Sequence, residues 1–294
     1  SDVSKYLDIA RELGFRKFEW PHLFSQWGAS GAIPVYKGQG EDEVPLWPKE
    51  LSGLSERYRA FLSHFLPEFK SFLERRQVLE GSFFHVSDEP HGEDDRKNYI
   101  KSRSMLKDLA PWMKTMDAVS EIEYGREGIT DIPIPQIGTV QDYIKEGIPC
   151  FTYFCCHPRG AYINRLMDTP LHKIRMLGWA LYRHRATIGG FLHWGYNYWY
   201  KSQTRDLIDP FMVSDGDRWP EWAYGDTFVV YPGESGPIDS IRWEIFAEGL
   251  QDYQLLQSVG LDPEDPLLSE IVDFRSFPRN PEWITSNRRK LLGF

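Results

Sequence analysis

Cysteine is scarce in this chain, with three in 294 residues, at positions 150, 155 and 156. That number cannot build a disulfide framework, and no CxxC pair suggests zinc. Free thiols favour the cytoplasm over secretion, although an export leader upstream of Ser1 would reverse that. The eight histidines show neither HxH nor HExxH spacing, so no metal is expected, and no cofactor is called for. Basic residues are outnumbered 34 to 43, giving a net charge of −9. An acidic surface argues against nucleic acid and against anionic membrane, because affinity for phosphate comes from clustered Lys and Arg. No apolar run approaches the roughly 20 residues of a transmembrane helix. Internal repeats and low-complexity tracts are also missing.

What the chain does have is a large-core composition, 41% hydrophobic and 26% charged, which excludes disorder. Aromatics are abundant, with 11 Trp, 15 Tyr and 18 Phe. Val3, Tyr6, Ala10 and Leu13 fall on one face of a first helix that Gly14 stops. Six strand segments follow, at 15–20, 82–88, 115–120, 132–137, 149–155 and 187–193. Between them lie a long helix from Ser55 with an aromatic stripe over 61–72 and Pro67 inside it, a charged helix near 93–110, a short one capped by Thr139, and one starting at Thr169-Pro170. Loops fill 21–54 and 195–237, and tail helices are expected near 238–258, 263–274 and 281–292.

Strand alternating with helix predicts parallel βαβ units and an α/β fold. Eight such units make a (β/α)8 TIM-type barrel; six are visible, which places the first two strands upstream of Ser1. On this reading residues 1–258 are the barrel domain and 259–294 a C-terminal helical extension. An incomplete barrel exposes strand edges, so an upstream segment or a second chain is expected to complete it.

In such barrels the working residues sit at the C-terminal ends of strands and in the loops that follow. That rule collects Trp20, His22 and Trp27 from the first strand, then His85, Asp88 and Glu89 from the second. Tyr153 ends the fifth, with Asn164 and Arg165 beyond it, and the last supplies His193, Trp194, Tyr196 and Asn197. Acids, imidazoles, amides and aromatic faces at one rim suit a carbohydrate, whose apolar C–H face stacks on rings while its hydroxyls take hydrogen bonds. Adjacent acids on a regular strand would point to opposite faces. Asp88 and Glu89 can converge only where the strand ends, and Pro90 supplies that end. Burial and mutual repulsion then raise one pKa and leave the other group ionised.

Structural readings compete. Asp88-Glu89-Pro90 could cap the next helix, and His85 could be a hydrogen-bonded neighbour of the acids. Trp20 and Trp27 suit packing as well as sugar contact. Cys155 and Cys156 read as packed thiols, and Arg242, Glu248 and Asp252 as an ion-pair network holding a helix.

The run Phe84-His85-Val86-Ser87-Asp88-Glu89-Pro90 resembles the signature of glycoside hydrolase family 123 and of its relatives, domain of unknown function 4091. So do Cys155-Cys156 followed by Asn164-Arg165, the block Phe191 to Asn197, and Ser240-Ile241-Arg242 with Glu248-Gly249-Leu250-Gln251-Asp252-Tyr253. The resemblance implies a β-N-acetylgalactosaminidase with a retaining, substrate-assisted mechanism acting on an amino-sugar glycan. It implies Glu89 as general acid/base, Asp88 as the group orienting the 2-acetamido arm, Tyr153 as an acetamido hydrogen-bond partner and Trp194 as the sugar platform. Two alternatives remain: a non-catalytic carbohydrate-binding or structural barrel module, and a glycosidase for another sugar.

Overall fold

The computed structural model describes residues 2–38, 40–202, 204–215 and 222–293. The chain forms two compact units, Ser1–Ile134 and Pro135–Phe294.

In chain order the first unit holds α1 (Asp2–Glu12), β1 (Phe18–Trp20), a hairpin of β2 (Tyr36–Lys37) and β3 (Val44–Pro45), α2 (Glu56–Arg75) and β4 (Ser82–Phe84). It continues through α3 (Gly92–Leu109), β5 (Met116–Asp117), α4 (Glu123–Arg126) and β6 (Ile132–Pro133). Strands β1 and β4 pair in parallel, as do β5 and β6, and a parallel bridge from Phe84 to Thr115 links the two pairs. The core forms under α2. Ser55 caps that helix by accepting from the Tyr58 amide, and its apolar spacing buries Tyr58, Leu62, Leu66 and Leu73. The expected aromatic stripe is core: Phe61, Phe65, Phe69 and Phe72 stack in series at 5.6, 5.3 and 6.5 Å. The helix continues through Pro67.

Helix α1 corrects one expectation. Leu7 and Ala10 are its buried residues, while Val3, Tyr6 and Leu13 are exposed. With Leu7 and Ile9 the apolar positions form one arc of just under half the helix circumference, and only its edge at Leu7 and Ala10 is packed, which periodicity alone could not choose.

The second unit holds α5 (Val140–Glu146), β7 (Cys150–Tyr153), α6 (Leu171–Arg183), β8 (Ile188–Leu192), β9 (Val230–Gly233), β10 (Gly236–Asp239), α7 (Ile241–Ser258) and α8 (Pro281–Leu292). Strands β7 and β8 are parallel, and Tyr153 also pairs in parallel with Gln136. All six expected strand segments are therefore present and parallel, though shortened. Among the described residues they form separate short ladders, and the architecture is mixed α/β.

Two further corrections concern the tail. A hairpin, β9–β10, lies in the expected 195–237 loop. Pro232 and Pro237, paired in its register, argue against strand when read in sequence, but a two-stranded hairpin leaves edge positions where no donor is needed. The expected helix over 263–274 is one 3-10 turn, Pro266–Leu268. Asp262, Asp265 and Asp273 each accept from backbone amides two or three residues on, which offers the chain local turns in place of helix.

Helices α6 and α7 pack closely because glycines face each other. A methyl group on Gly178 would collide with the Gly249 carbonyl, and one on Gly249 would press on Arg175. Beside that crossing, the fully buried Asp252 accepts from Arg175 at 2.7 Å, from Trp179 at 3.0 Å and from Arg288, while Glu248 pairs with Arg175 at 2.6 Å. Arg242 departs from the expected ion-pair network: its guanidinium is spent on the carbonyls of Arg165, Gly225 and Phe228. Gly178→Ala is expected to lower stability by about 2–3 kcal/mol, as overpacking of a fixed contact does, read as a lower urea midpoint at unchanged slope. A wild-type midpoint would mean that the helices separate freely.

Candidate functional site

In the first unit the site grows from the end of β4. Beyond Phe84 the chain leaves the regular ladder. Leu23 and Phe24 donate their amides to the carbonyls of His85 and Val86, and Trp27 donates to Asp88 at 2.8 Å. The amides of Val86 and Ser87 turn to one carboxylate oxygen of Asp117, at 2.8 and 3.1 Å. Asp117 is fully buried, and its other oxygen accepts from Tyr99 at 2.5 Å and Thr130 at 3.3 Å.

Glu89 follows with φ +43°, the left-handed region that a residue with a Cβ rarely adopts. The two-residue alternation that would separate neighbouring side chains is broken there. Such strain costs of order 1–3 kcal/mol and concentrates at functional sites. Asp88 Oδ2 accepts from Gln26 Nε2 at 3.1 Å. Burial, and then the charge of Glu89, raise the Asp88 carboxyl to about 6. The expected splitting thus falls on Asp88.

His85 is buried between two carboxylates. Nε2 lies 2.6 Å from Glu19 Oε1, and Nδ1 lies 3.7 Å from Asp117. Burial alone would lower its pKa, but the hydrogen bonds and charges of Asp117 and Glu19 outweigh that and hold it at about 10. His85 is therefore an imidazolium at neutral pH. His22 meets it edge to face at 6.2 Å, and burial and the His85 charge depress the His22 pKa. A neutral imidazole thus stands against a charged one.

The aromatics divide. Trp27 is half exposed with φ +52°, and Gly28 beside it takes φ +124°, a backbone conformation that side-chain-bearing residues rarely adopt. Its indole is placed by the same backbone contact that holds Asp88. Trp20 is half-buried in packing contacts: Nε1 donates to Ser82 at 2.9 Å and the ring meets Phe69 at 5.0 Å.

The second unit has a cluster of its own. Tyr153 is buried at the end of β7. Trp194 is 41% exposed, and its Nε1 donates to the fully buried Asp226 at 3.1 Å. His193 Nε2 lies 3.5 Å from the same carboxylate, while Nδ1 accepts from the Gly195 amide at 3.0 Å. Burial and the Arg165 charge lower His193 to about 4, so it is neutral. Gly195 permits this fold of chain, since a side chain there would strike the Asp226 carbonyl. Tyr196 is exposed and meets Trp243 at 5.0 Å, and Asn197 is exposed and bridges to Phe228.

Asn164 and Arg165 hold the loop beyond β7. Asn164 is buried, donates to the carbonyls of Cys155 and Pro158 at 2.9 Å each, and accepts from the Arg165 amide at 2.6 Å. Arg165 is buried, donates to the Gly195 carbonyl and lies 5.5 Å above the Phe246 ring. Burial and neighbouring Arg242 lower its pKa to about 9.

Glu19, Gln26, Asp117 and Asp226 were missed in sequence. Asp117 carried a signal, as the one acid inside an apolar strand, whereas Asp226 lies in a long loop with no pattern around it. Among the described residues no group of three or more His, Cys, Asp and Glu is placed to hold a metal, and no helix is long and apolar enough to cross a membrane.

Residues 1–259 match the family profile described as the catalytic domain of glycoside hydrolase 123. The chain belongs to glycoside hydrolase family 123. A solved family 123 glycoside hydrolase from Clostridium perfringens, studied for hydrolysis of glycolipid glycans, is similar in fold with a TM-score of 0.67 at 15% identity. The match covers 99% of this chain and 54% of that one, so the family 123 domain described here spans about half of that relative's length. An FMN-binding β-glucuronidase from Facaelibacterium prausnitzii L2-6 matches at 12% identity and a TM-score of 0.41, over 82% of this chain and 36% of that one. No functionally curated protein matches.

The Asp88 environment sets a pH dependence. Its carboxyl titrates near 6 in the folded chain against 3.8 when solvated. The folded state therefore binds this proton more tightly, and the group's contribution to stability falls as pH rises through that window and stays reduced above it. Asp88→Asn removes the penalty. The variant is expected to gain stability over wild type at pH ~8 but not at pH ~3, measured by urea unfolding; an equal difference at both would show that Asp88 ionises as if exposed.

Proposed function

We propose that the protein is a glycosidase acting by a retaining, substrate-assisted mechanism on terminal β-linked N-acetylhexosamine, N-acetylgalactosamine before N-acetylglucosamine. The observation that carries this is the Asp88-Glu89 pair, placed where Glu89 leaves strand geometry and flanked by His85, Glu19 and an exposed Trp27. Family membership supports the reaction class.

Glu89 protonates the glycosidic oxygen while the substrate's own acetamido oxygen attacks the anomeric carbon and the bond to the leaving sugar breaks. The positive charge passes to an oxazolinium-like ring. Water deprotonated by Glu89 then opens that ring and restores the configuration, the known exception to the two-carboxylate scheme. Asp88 orients the acetamido N–H and stabilises its developing charge. A carboxyl that burial holds near 6 has few donors of its own, so it gains most from the donor the substrate brings. Imidazolium His85 adds fixed positive charge beside Asp88, favouring its ionised form against the effect of burial.

The same reading takes the parallel segments as strands of a (β/α)8 barrel. Tyr153 hydrogen-bonds the acetamido group, and Trp194, steadied by Asp226, is the sugar platform.

The test is release of 4-nitrophenol from the β-N-acetylgalactosaminide and from the matching β-galactoside. Wild type is expected to turn over the acetamido substrate alone. Glu89→Gln is expected to lose about 10²–10⁴-fold in kcat on glycans with poor leaving groups while retaining binding; full activity in that variant would sink the assignment. Asp88→Asn should slow the acetamido substrate strongly, and an unchanged rate excludes substrate assistance. Sugar binding without turnover of either substrate would make the protein a binding module.

A further inference from the structure

Cys155 and Cys156 lie just beyond β7, after Phe154, and the reaction proposed above makes no use of them. Their sulfurs lie 3.8 Å apart, in thiol–thiol hydrogen-bond range. Both sit in a small apolar cluster with Leu166 and Ala223, with Cys155 half-buried and Cys156 buried. We propose that this pair is a redox modification site, which a peroxide closes into a vicinal disulfide and a dithiol reopens.

Three observations carry it. Adjacency and the 3.8 Å separation leave under 2 Å of sulfur movement to reach a bonded pair. The two thiols differ in reactivity: S–H donation from Cys155 and the nearby His157 lower Cys156 to about 7 against the effect of burial, while Cys155 is raised by that hydrogen bond and by burial. One sulfur is thus the nucleophile and its neighbour the resolving thiol. Cys150, buried in β7 with its thiol pushed up to about 12 by burial, has no such activation.

The chemistry balances without a metal or a cofactor. Cys156 thiolate attacks one peroxide oxygen, the O–O bond breaks, and hydroxide leaves to take up a proton. The resulting sulfenic acid is attacked by the Cys155 sulfur as its proton is lost. The S–O bond breaks, a second water forms, and the S–S bond closes. Two thiols have given two electrons to one peroxide.

Closure also reaches the loop beyond. The Cys155 carbonyl accepts from Asn164 at 2.9 Å and the Cys156 carbonyl from Arg159 Nε at 2.8 Å, while Asn164 fixes the Arg165 amide. Drawing the sulfurs together twists the peptide between the two cysteines and turns those carbonyls, so oxidation is expected to loosen the 156–165 segment.

The experiment treats the full chain with dilute hydrogen peroxide, blocks free thiols with light iodoacetamide under denaturing conditions, then reduces and labels with heavy reagent. Cleavage after Phe151, Tyr153 and Phe154 separates Cys150 from the pair. Heavy label on Cys155 and Cys156 together, with Cys150 light, is expected, along with a lowered melting temperature that dithiothreitol restores. Cys155→Ser, lacking the resolving thiol, is expected to carry a dimedone-trappable sulfenic acid at Cys156. Light label throughout, stable sulfinic acid on the wild-type pair, or heavy label on Cys150 as well would overturn the site. A disulfide that leaves melting unchanged would overturn its coupling to the loop. The label readout needs no substrate, so its failure is separate from failure of the glycosidase reading.

Discussion

Burying the Asp117 carboxyl in the first unit would cost several kcal/mol if nothing replaced its water. Its donors are drawn from what surrounds it, the amides of Val86 and Ser87 and the hydroxyls of Tyr99 and Thr130, and the imidazolium of His85 faces it as an ion pair at 3.7 Å. Each contact has a consequence for the acids two residues further on. Taking two successive amides ends regular pairing after β4 and frees the chain to turn. Holding His85 charged brings Glu19 to it at 2.6 Å and fixes the floor of the cluster. Tyr99 stays a donor because burial and the Asp117 charge both raise its pKa well above the ordinary value. Without Asp117 the segment 85–89 would hold two orphaned amides and a cation left with Glu19 alone, and the orphaned amides are expensive under cover.

The second unit repeats the device with Asp226. That carboxylate too is fully buried, and it also spends itself on a candidate binding residue, the Trp194 indole, and on a histidine, His193. The histidines nevertheless end in opposite states. His85 has a carboxylate on each ring nitrogen and is held at about 10. His193 has one carboxylate at 3.5 Å with buried Arg165 nearby, and falls to about 4. The same residue type, at equivalent positions in a strand-end motif, is thus charged or neutral according to how many carboxylates surround it against cations. Sequence cannot supply that count, because Glu19 and Asp117 are 66 and 32 residues from His85 in one case and Arg165 is 28 from His193 in the other.

What was legible in the chain was whatever local periodicity decides. The α2 stripe, the six parallel segments and the helices around Gly178 and Gly249 follow from side-chain spacing, and the break at Asp88-Glu89 follows from Pro90. Features set by competition were not legible. The aspartates of 262–273 capture amides and dissolve an expected helix, and Pro232 opposite Pro237 hides a hairpin. Asn164 and Arg165 carry the residue types of a sugar contact, yet the Asn164 amide donates to the carbonyls of Cys155 and Pro158 and one guanidinium nitrogen of Arg165 donates to that of Gly195. Motif residues near a site divide into those that face a ligand and those that hold the loop, and only the partners' positions decide between them.

The placement of strain and charge makes one chemical argument. Glu89 sits in a backbone region that costs free energy, and Asp88 in one where its charge is disfavoured, so two adjacent residues both destabilise the empty fold. Random drift would relax such positions, since a glycine at 89 or an amide at 88 is the easier solution. Both penalties instead buy a ligand-ready arrangement in the reading proposed here. The poorly solvated Asp88 carboxyl has most to gain from an acetamido N–H, and the turned backbone lets its neighbour approach the same bond from another direction. A simple helix-cap role for the pair would need neither feature. Capping acids gain from solvent and from amide donors, which would pull the Asp88 pKa below the ordinary range, and it lies above that range.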